Sequence, residues 1–448
     1  MMMSTKQKYL SAAVIAGLMV LTSVFIVNFS VNEPEDKIAE EKHVAKWTSF
    51  FWLCGDGNLA DWNMMLCNLH YLEMVENSED VNLIGILDRK EDGDTKLLKI
   101  EKGNSTEMPI TLIDESWTDS ELNLGDPEHL LKFLIWGADN YPAENYNIHL
   151  VNHGGGWRGM CWDESSNDHL SLPEIREVTE GMKEHVGKNV EILSTEGCLV
   201  GMLEFGYELR ESVDYFIGGS TYGWGAEAEP DKDIWDAGNW QYDECWGRLV
   251  ENPALSPEEL SLVMIETFKP YGPWTAPPFI PKEGYSDVMA AYNLSNIENL
   301  SKSVDSMARE LMDKVTGPGK AVRQANLINH VIGHPELPDC QYTEYFSAQM
   351  DWVGLSTYTN FDLYDFALQL SKPASGTLQN SHSDDVMQLV EDTVMAYRNV
   401  EADGGHPDAH GISIYIPYRS SEYNPAYEEI QFAQDTQWDE FIKAVHWT

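Results

Sequence analysis

The sequence is poor in positive charge and has no paired cysteines, no internal repeat and no low-complexity tract. Lys and Arg number 29 against 74 Asp and Glu, a formal net charge of −45. Such a chain repels a phosphate backbone, so nucleic-acid binding is excluded as a function class. The acidic surface instead aids solubility and draws cations or basic peptides toward it, although the plain role of any single acidic run is solvation. The cysteines Cys54, Cys67, Cys161, Cys198, Cys245 and Cys340 lack the spacing of a disulfide framework or of a CxxC zinc site. Most of them therefore read as small buried hydrophobes. None precedes Cys54, which excludes a lipid-modified cysteine at the end of an N-terminal leader.

Charge is absent from one long stretch only, Tyr9 to Asn32, with Lys6 and Lys8 before it and Glu33, Glu35, Asp36, Glu40 and Glu41 after it. About 20 apolar residues cross a bilayer, and the lysine-bearing side stays in the cytoplasm. An uncleaved anchor is favoured over a cleaved signal because no small-residue cleavage pattern closes the run. The expectation is a catalytic or binding domain outside the cytoplasm, either membrane-anchored or secreted.

What remains is rich in burial potential. Of 448 residues 43% are hydrophobic and 11% aromatic, including 15 Trp and 20 Tyr, which excludes a disordered chain and supports a sizeable core. The division expected is 1–32 as cytoplasmic tip and anchor or signal, 33–45 as a charged linker, 46–250 as the catalytic core, and 251–448 as a part completing and extending the sheet.

Strand and helix patterns alternate through the core. Trp47–Cys54 reads as a strand, broken by Gly55-Asp56-Gly57-Asn58, and Met64–Glu76 has helical spacing. Val81–Leu87, Asp94–Ile100, Pro109–Ile113, Tyr146–Val151, Val190–Ser194 and Tyr215–Ile217 read as strands. Asp126-Pro127, Ser171 with Pro173-Glu174, and Ser256-Pro257-Glu258-Glu259 carry helix-start signals, and a further helix is expected over Leu199–Glu211. Ser286–Asn293 and Ile412–Pro417 read as later strands and Asn296–Val315 as a long helix. This alternation predicts an α/β fold, a mostly parallel sheet covered on both faces. Ligands of such sheets sit beyond the carboxyl ends of the strands.

Two motifs fall at that edge. Asn152-His153-Gly154-Gly155-Gly156-Trp157 follows one predicted strand, and Thr195-Glu196-Gly197-Cys198-Leu199 follows the next. On neighbouring strands His153 and Cys198 would form a nucleophile pair. An imidazolium and a helix N-terminus near Leu199 would then lower the thiol pKa, and the Gly154 and Cys198 amides would form an oxyanion hole. Separately, each residue has a bland reading, as a capping histidine or a core cysteine. Together, 45 residues apart, they match a spacing in which a catalytic His precedes its Cys by about 50.

These segments, with Leu170–Ile175, Glu196–Glu204, Trp47–Asn58, Asn252–Leu260 and Gly411–Pro417, resemble the clostripain-like cysteine peptidases of the caspase-like group. The resemblance covers most of the chain beyond residue 45. It implies a caspase-like three-layer α/β/α sandwich with a C-terminal extension, with His153 as general base and acid, Cys198 as nucleophile, and a peptide or protein as substrate. It also implies a preference for Arg or Lys before the scissile bond. The family carries an Asp two residues before the nucleophile, and this chain has Glu196 there. Ser220, Thr221 and Glu227 are expected along one wall of the same pocket, with Glu229 a further acid nearby. No cofactor is required, although several members respond to calcium. Some mature by cutting between the two motifs, where Arg158, Arg176, Lys183 and Lys188 are the basic residues available.

Other readings stay open at this point. A catalytically inactive caspase-like scaffold would serve as a surface binding protein, and ordinary reactivity of Cys198 would mark it. Asp403, His406, Asp408 and His410 include a His-x-x-x-His spacing that would serve a metal hydrolase on a helix, but Gly404, Gly405 and Pro407 argue for a loop. Asp56, Asn58 and Asp61 imitate the start of a calcium loop without its central Gly and terminal Glu, and read as a turn and cap. No metal ligand is assigned.

Overall fold

The computed structural model describes residues 42–448 except 92, 119–120, 222, 224, 271–286, 328–330, 332–344, 351–354, 400–405, 407, 418–422 and 446–448. The run Tyr9–Asn32, most of the linker and Cys340 lie outside the described residues. Among the described residues no helix is long and apolar enough to cross a membrane.

A nine-stranded sheet organises the chain. Its strands are β1 (Ala45–Cys54), β2 (Val81–Asp88), β3 (Lys96–Lys99), β4 (Thr106–Met108), β5 (Ala143–Val151), β6 (Val190–Glu196), β7 (Val213–Gly219), β8 (Met289–Asn293) and β9 (Val394–Arg398). Their spatial order is β9-β8-β7-β6-β5-β1-β2-β3-β4. The five central strands run parallel, and antiparallel pairs close both edges. Successive residues of a strand face opposite sides. In β1, Phe50, Trp52 and Cys54 enter one core while Trp47, Phe51 and Leu53 enter the other, all fully buried. A strand with both faces buried reads as an apolar run, which is how the second half of β1, Phe50–Cys54, appears in the sequence.

Helices cover both faces. On the first lie α2 (Pro127–Asn140), α3 (Leu172–Val186), α4 (Leu203–Leu209) and α7 (Ile297–Thr316); on the second α1 (Met64–Leu72), α5 (Tyr242–Glu251) and α6 (Pro257–Thr267). The result is a three-layer α/β/α sandwich. The expected starts appear in the hydrogen bonds: Asp126 accepts from the Glu128 amide, and Ser171 and Ser256 form capping boxes with Glu174 and Glu259.

Three expectations change. Ile110–Leu112 is a 3-10 turn, not a strand. Ser413–Tyr415 does not extend the central sheet, whose edge is occupied by β9; it pairs with Leu355–Asp362 in a separate three-stranded sheet. The helix expected from Leu199 starts only at Leu203, because Leu199 has φ +64°, in the left-handed region, and cannot belong to a right-handed first turn.

Candidate active site

Strand register brings the two motifs together. Val151 of β5 pairs with Glu196 of β6, and His153 and Cys198 each follow that pair by two residues. Neighbouring strands lie about 4.8 Å apart, so the chains leave the sheet side by side. The Asn152 N–H donates to the Glu196 carbonyl at 3.2 Å. Gly154 then passes so near the nucleophile loop that a Cβ there would lie 2.0 Å from the Cys198 carbonyl oxygen and 2.8 Å from its nitrogen. Only glycine permits that approach.

His153 and Cys198 line one cavity of about 230 Å³, open to solvent. That is smaller than the roughly 300–1,000 Å³ of small-molecule sites, and suits a single side chain of a longer substrate. Glu196, Thr221, Gly219 and Glu227 line it as well. Ser220 does not: its fully buried hydroxyl faces the carbonyl oxygens of Gly201 and Gly411, because the alternation continuing from β7 turns it away from its neighbours Gly219 and Thr221. Thr221 Oγ1 accepts from the Val288 N–H at 2.7 Å, tying the cavity wall to the start of β8.

The electrostatics differ from the expected ion pair. Burial pushes the Cys198 thiol up to about 11, with the Asp287 and Glu196 carboxylates adding to it, while the N–H groups of Gly223 and Gly154 act in the opposite direction. The Gly223 nitrogen lies 3.4 Å from Sγ. Burial also lowers His153 to about 4. Near neutrality the pair is thus thiol and neutral imidazole, and the helix N-terminus expected to favour a thiolate sits four residues too far on. Asn58, on the 3-10 turn Asn58–Trp62, holds His153 Nε2 with its Oδ1 at 2.7 Å. That bond makes Nε2 the protonated nitrogen and Nδ1 the basic one.

Glu196 is buried at the cavity floor. Its Oε2 accepts from Asn68 Nδ2 at 2.8 Å and from the Tyr242 hydroxyl, and Oε1 is buried without a hydrogen-bond partner. Tyr242 spends its one proton on Glu196, so His149 Nε2, 2.9 Å away, donates to the Tyr242 oxygen. Burial pushes Glu196 up to about 7, against the lowering pull of Tyr242 and Asn68.

Sequence reasoning missed Asn58 as a partner of His153, the buried Tyr242, Asn68 and His149 behind Glu196, and the cavity residues Asp287, Asn239 and Trp240. Asn239 Nδ2 donates to Asp287 Oδ2 at 2.7 Å. None carries a local motif. The other expected cluster does not assemble on a helix: His406 is buried in a non-helical segment, His410 stacks on Tyr364, and Asp362 Oδ1 lies 3.4 Å from its Nδ1. Asp403 lies outside the described residues. Among the described cysteines, Cys54, Cys67, Cys161 and Cys245 are buried free thiols.

Comparison with known proteins gives a consistent picture. The profile of the Clostripain family matches residues 51–447. Clostripain of Hathewaya histolytica is 25% identical over 447 residues, spanning 90% of this chain and 78% of that protein. A secreted C11 cysteine protease from Bacteroides thetaiotaomicron, solved with an irreversible peptide inhibitor, superposes with a TM-score of 0.55 at 17% identity, covering 89% of this chain and 99% of that one. An inactive zymogen C11 protease from Parabacteroides distasonis does so with a TM-score of 0.54 at 15% identity, covering 90% and 99%. At these identities the solved structures speak for the fold.

Proposed function

The chain belongs to the clostripain family and is a cysteine peptidase, and we propose that it is an endopeptidase working through Cys198 and His153 with a preference for Arg or Lys before the scissile bond. The observation that carries this reading is the Val151–Glu196 register, from which both side chains reach one cavity.

With both groups neutral, proton transfer accompanies attack. His153 Nδ1 takes the Sγ proton as sulfur bonds to the scissile carbonyl carbon, and the same nitrogen then delivers it to the departing amine. The Gly154 and Cys198 amides receive the developing oxyanion. Water, deprotonated by His153, releases the carboxylate product from the thioester. The basic side chain enters the cavity toward the unpartnered Oε1 of Glu196, with Asp287 and Glu227 adding negative charge on its walls.

Tyr9–Asn32, preceded by Lys6 and Lys8, fits delivery of this domain across a membrane, either held there or released. The B. thetaiotaomicron protease described as secreted is in keeping with that location.

A fluorogenic peptide panel varying the residue before the scissile bond tests the reading. Cleavage after Arg or Lys that disappears in Cys198→Ala is the expected result. Cleavage after other residues would keep the mechanism and remove the acidic pocket, and no cleavage by a folded protein would remove both.

A further inference from the structure

Two buried polar atoms at the active-site cavity have no partner, and they are of opposite kind. Among the described residues that line it, Glu196 and Trp240 carry side-chain atoms without a hydrogen bond: the carboxylate Oε1, which accepts, and the indole Nε1–H, which donates. The two residues are only 6% and 1% exposed. A buried polar group left unpaired is costly, so a cavity bordered by one of each kind suits a ligand that pairs both.

A hydrogen-bond relay behind the cavity sets how much of the carboxylate remains for that ligand. His149 Nε2, on β5, donates to the Tyr242 oxygen at 2.9 Å, Asn68 Nδ2, on α1, reaches the same oxygen at 3.2 Å, and the Tyr242 proton goes to Glu196 Oε2. Asn68 Nδ2 also donates to Oε2, at 2.8 Å. Oε2 thus holds two donors, which fill its lone pairs, and Oε1 holds none. Asn68 Oδ1 is unpartnered as well, but Asn68 stands behind Glu196 and does not line the cavity.

Arginine and lysine meet such a pocket differently. A guanidinium binds a carboxylate best as a fork, with two parallel N–H groups on its two oxygens. Here the fork finds one open oxygen, and a group made only of donors offers nothing to the Trp240 N–H. Asp287 does not restore the fork: it weighs more on the Cys198 thiol than Glu196 does, which places it nearer the nucleophile, and its Oδ2 accepts from Asn239. A lysine ammonium is a compact point charge with three rotatable donors, and it binds single oxygens. One donor meets Glu196 Oε1. Another meets a water that also accepts from the Trp240 N–H and turns a proton to Oε1. Such bridges are nearly as favourable as direct hydrogen bonds. The cavity of about 230 Å³ has room for the water, whose share of liquid volume is about 30 Å³.

We propose, resting on the basic-pocket reading above, that the cavity selects lysine over arginine before the scissile bond, with Tyr242 as the positioning residue that reserves Glu196 Oε1 and Trp240 as the donor that holds the bridging water.

The test is a competition between two peptides that differ only in Lys or Arg before the scissile bond, followed together by mass spectrometry, with a Leu peptide in the same mixture. It is run on the full chain at pH 8.5, where the Glu196 carboxyl is charged. Relative depletion gives the ratio of kcat/KM and does not depend on the fraction of active enzyme. Wild type should favour Lys by roughly fivefold or more, the least expected when Arg leaves one buried donor unpaired. Tyr242→Phe frees a lone pair of Oε2 and Trp240→Phe removes the N–H, so each should bring the ratio toward one, with melting curves to establish that the variants are folded. The wild-type ratio decides the selectivity even where a variant does not fold. Arg consumed as fast as Lys by wild type, or a ratio unchanged in both folded variants, would overturn the proposal and leave the basic pocket in place. Leu consumed as fast as both would remove the basic pocket and the proposal together.

Discussion

Asn58 Oδ1 lies 2.7 Å from His153 Nε2, joining the turn after β1 to the histidine after β5. The contact selects the tautomer that leaves Nδ1 basic, so Asn58 acts on the reaction through His153. Asn58→Ala should lower kcat roughly tenfold with little change in KM, in line with losses on removing groups that orient catalytic ligands. Asn58→Asp should raise the histidine pKa and move the acid limb of kcat upward, a change that a merely structural role would not produce. Steady-state kinetics across pH for both variants checks this.

Glu196 provides a second prediction through pH. Its carboxyl is pushed up to about 7, so it is neutral below that pH and charged above it. The His153 value of about 4 and the Cys198 value of about 11 leave the dyad unchanged between. For a substrate with Arg before the scissile bond, kcat/KM should therefore rise about tenfold per pH unit below 7 and level off above it. A substrate with Leu there should lack this limb. Glu196→Gln should flatten the Arg profile and leave the Leu profile as it was; a limb that persisted in the variant would assign the titration elsewhere.

Gly154→Ala should lower kcat by about 10²–10³ without unfolding the protein. The added methyl group falls 2.0 Å from the Cys198 carbonyl oxygen, so the strand exit must shift, and with it the Gly154 N–H. Loss of one oxyanion donor costs about 10²–10³ in kcat. Comparing kcat, the circular-dichroism melt and the rate of Cys198 alkylation separates loss of transition-state binding from loss of fold.

The extent to which the sequence revealed this site depended on distance along the chain. His153 and Cys198 were legible because each stands in a short motif directly after an apolar strand, and Asp126, Ser171 and Ser256 because capping is a local hydrogen bond. Asn58, Tyr242 and Asp287 were not, since each meets the site only after the sheet has been assembled and none stands in a recognisable pattern. Asp56 reads as a turn residue in the sequence, because Asp88 and Asp163, the carboxylates that gather beside it, come from other strands. The left-handed Leu199 leaves no mark either; a helical apolar pattern continues through it, so the sequence alone points to a helix start at Leu199, whereas the helix begins at Leu203.

Arg176 was one of the basic residues available for self-cleavage, and its surroundings give it a structural role instead. It lies within α3, and its Nη1 meets the fully buried Glu208 of α4 at 2.7 Å. Glu208 also accepts from the Gln431 amide, so the pair joins α3, α4 and the C-terminal segment. A helix interior is a poor protease substrate without local unfolding. Arg176→Met leaves the carboxylate buried with only the Gln431 N–H and the weaker pull of Arg210, and loss of one partner from a buried pair costs about 3–5 kcal/mol. Desolvation already raises the Glu208 pKa despite Arg176. The folded value therefore lies above the unfolded one, and the protonated form avoids the penalty: stability is retained at low pH and lost as pH rises through the folded pKa. Urea unfolding of Arg176→Met should consequently show a larger deficit against wild type at pH 8 than at pH 5.5. Equal deficits at the two pH values would mean that the arginine stabilises α3 and α4 by packing and not by its charge.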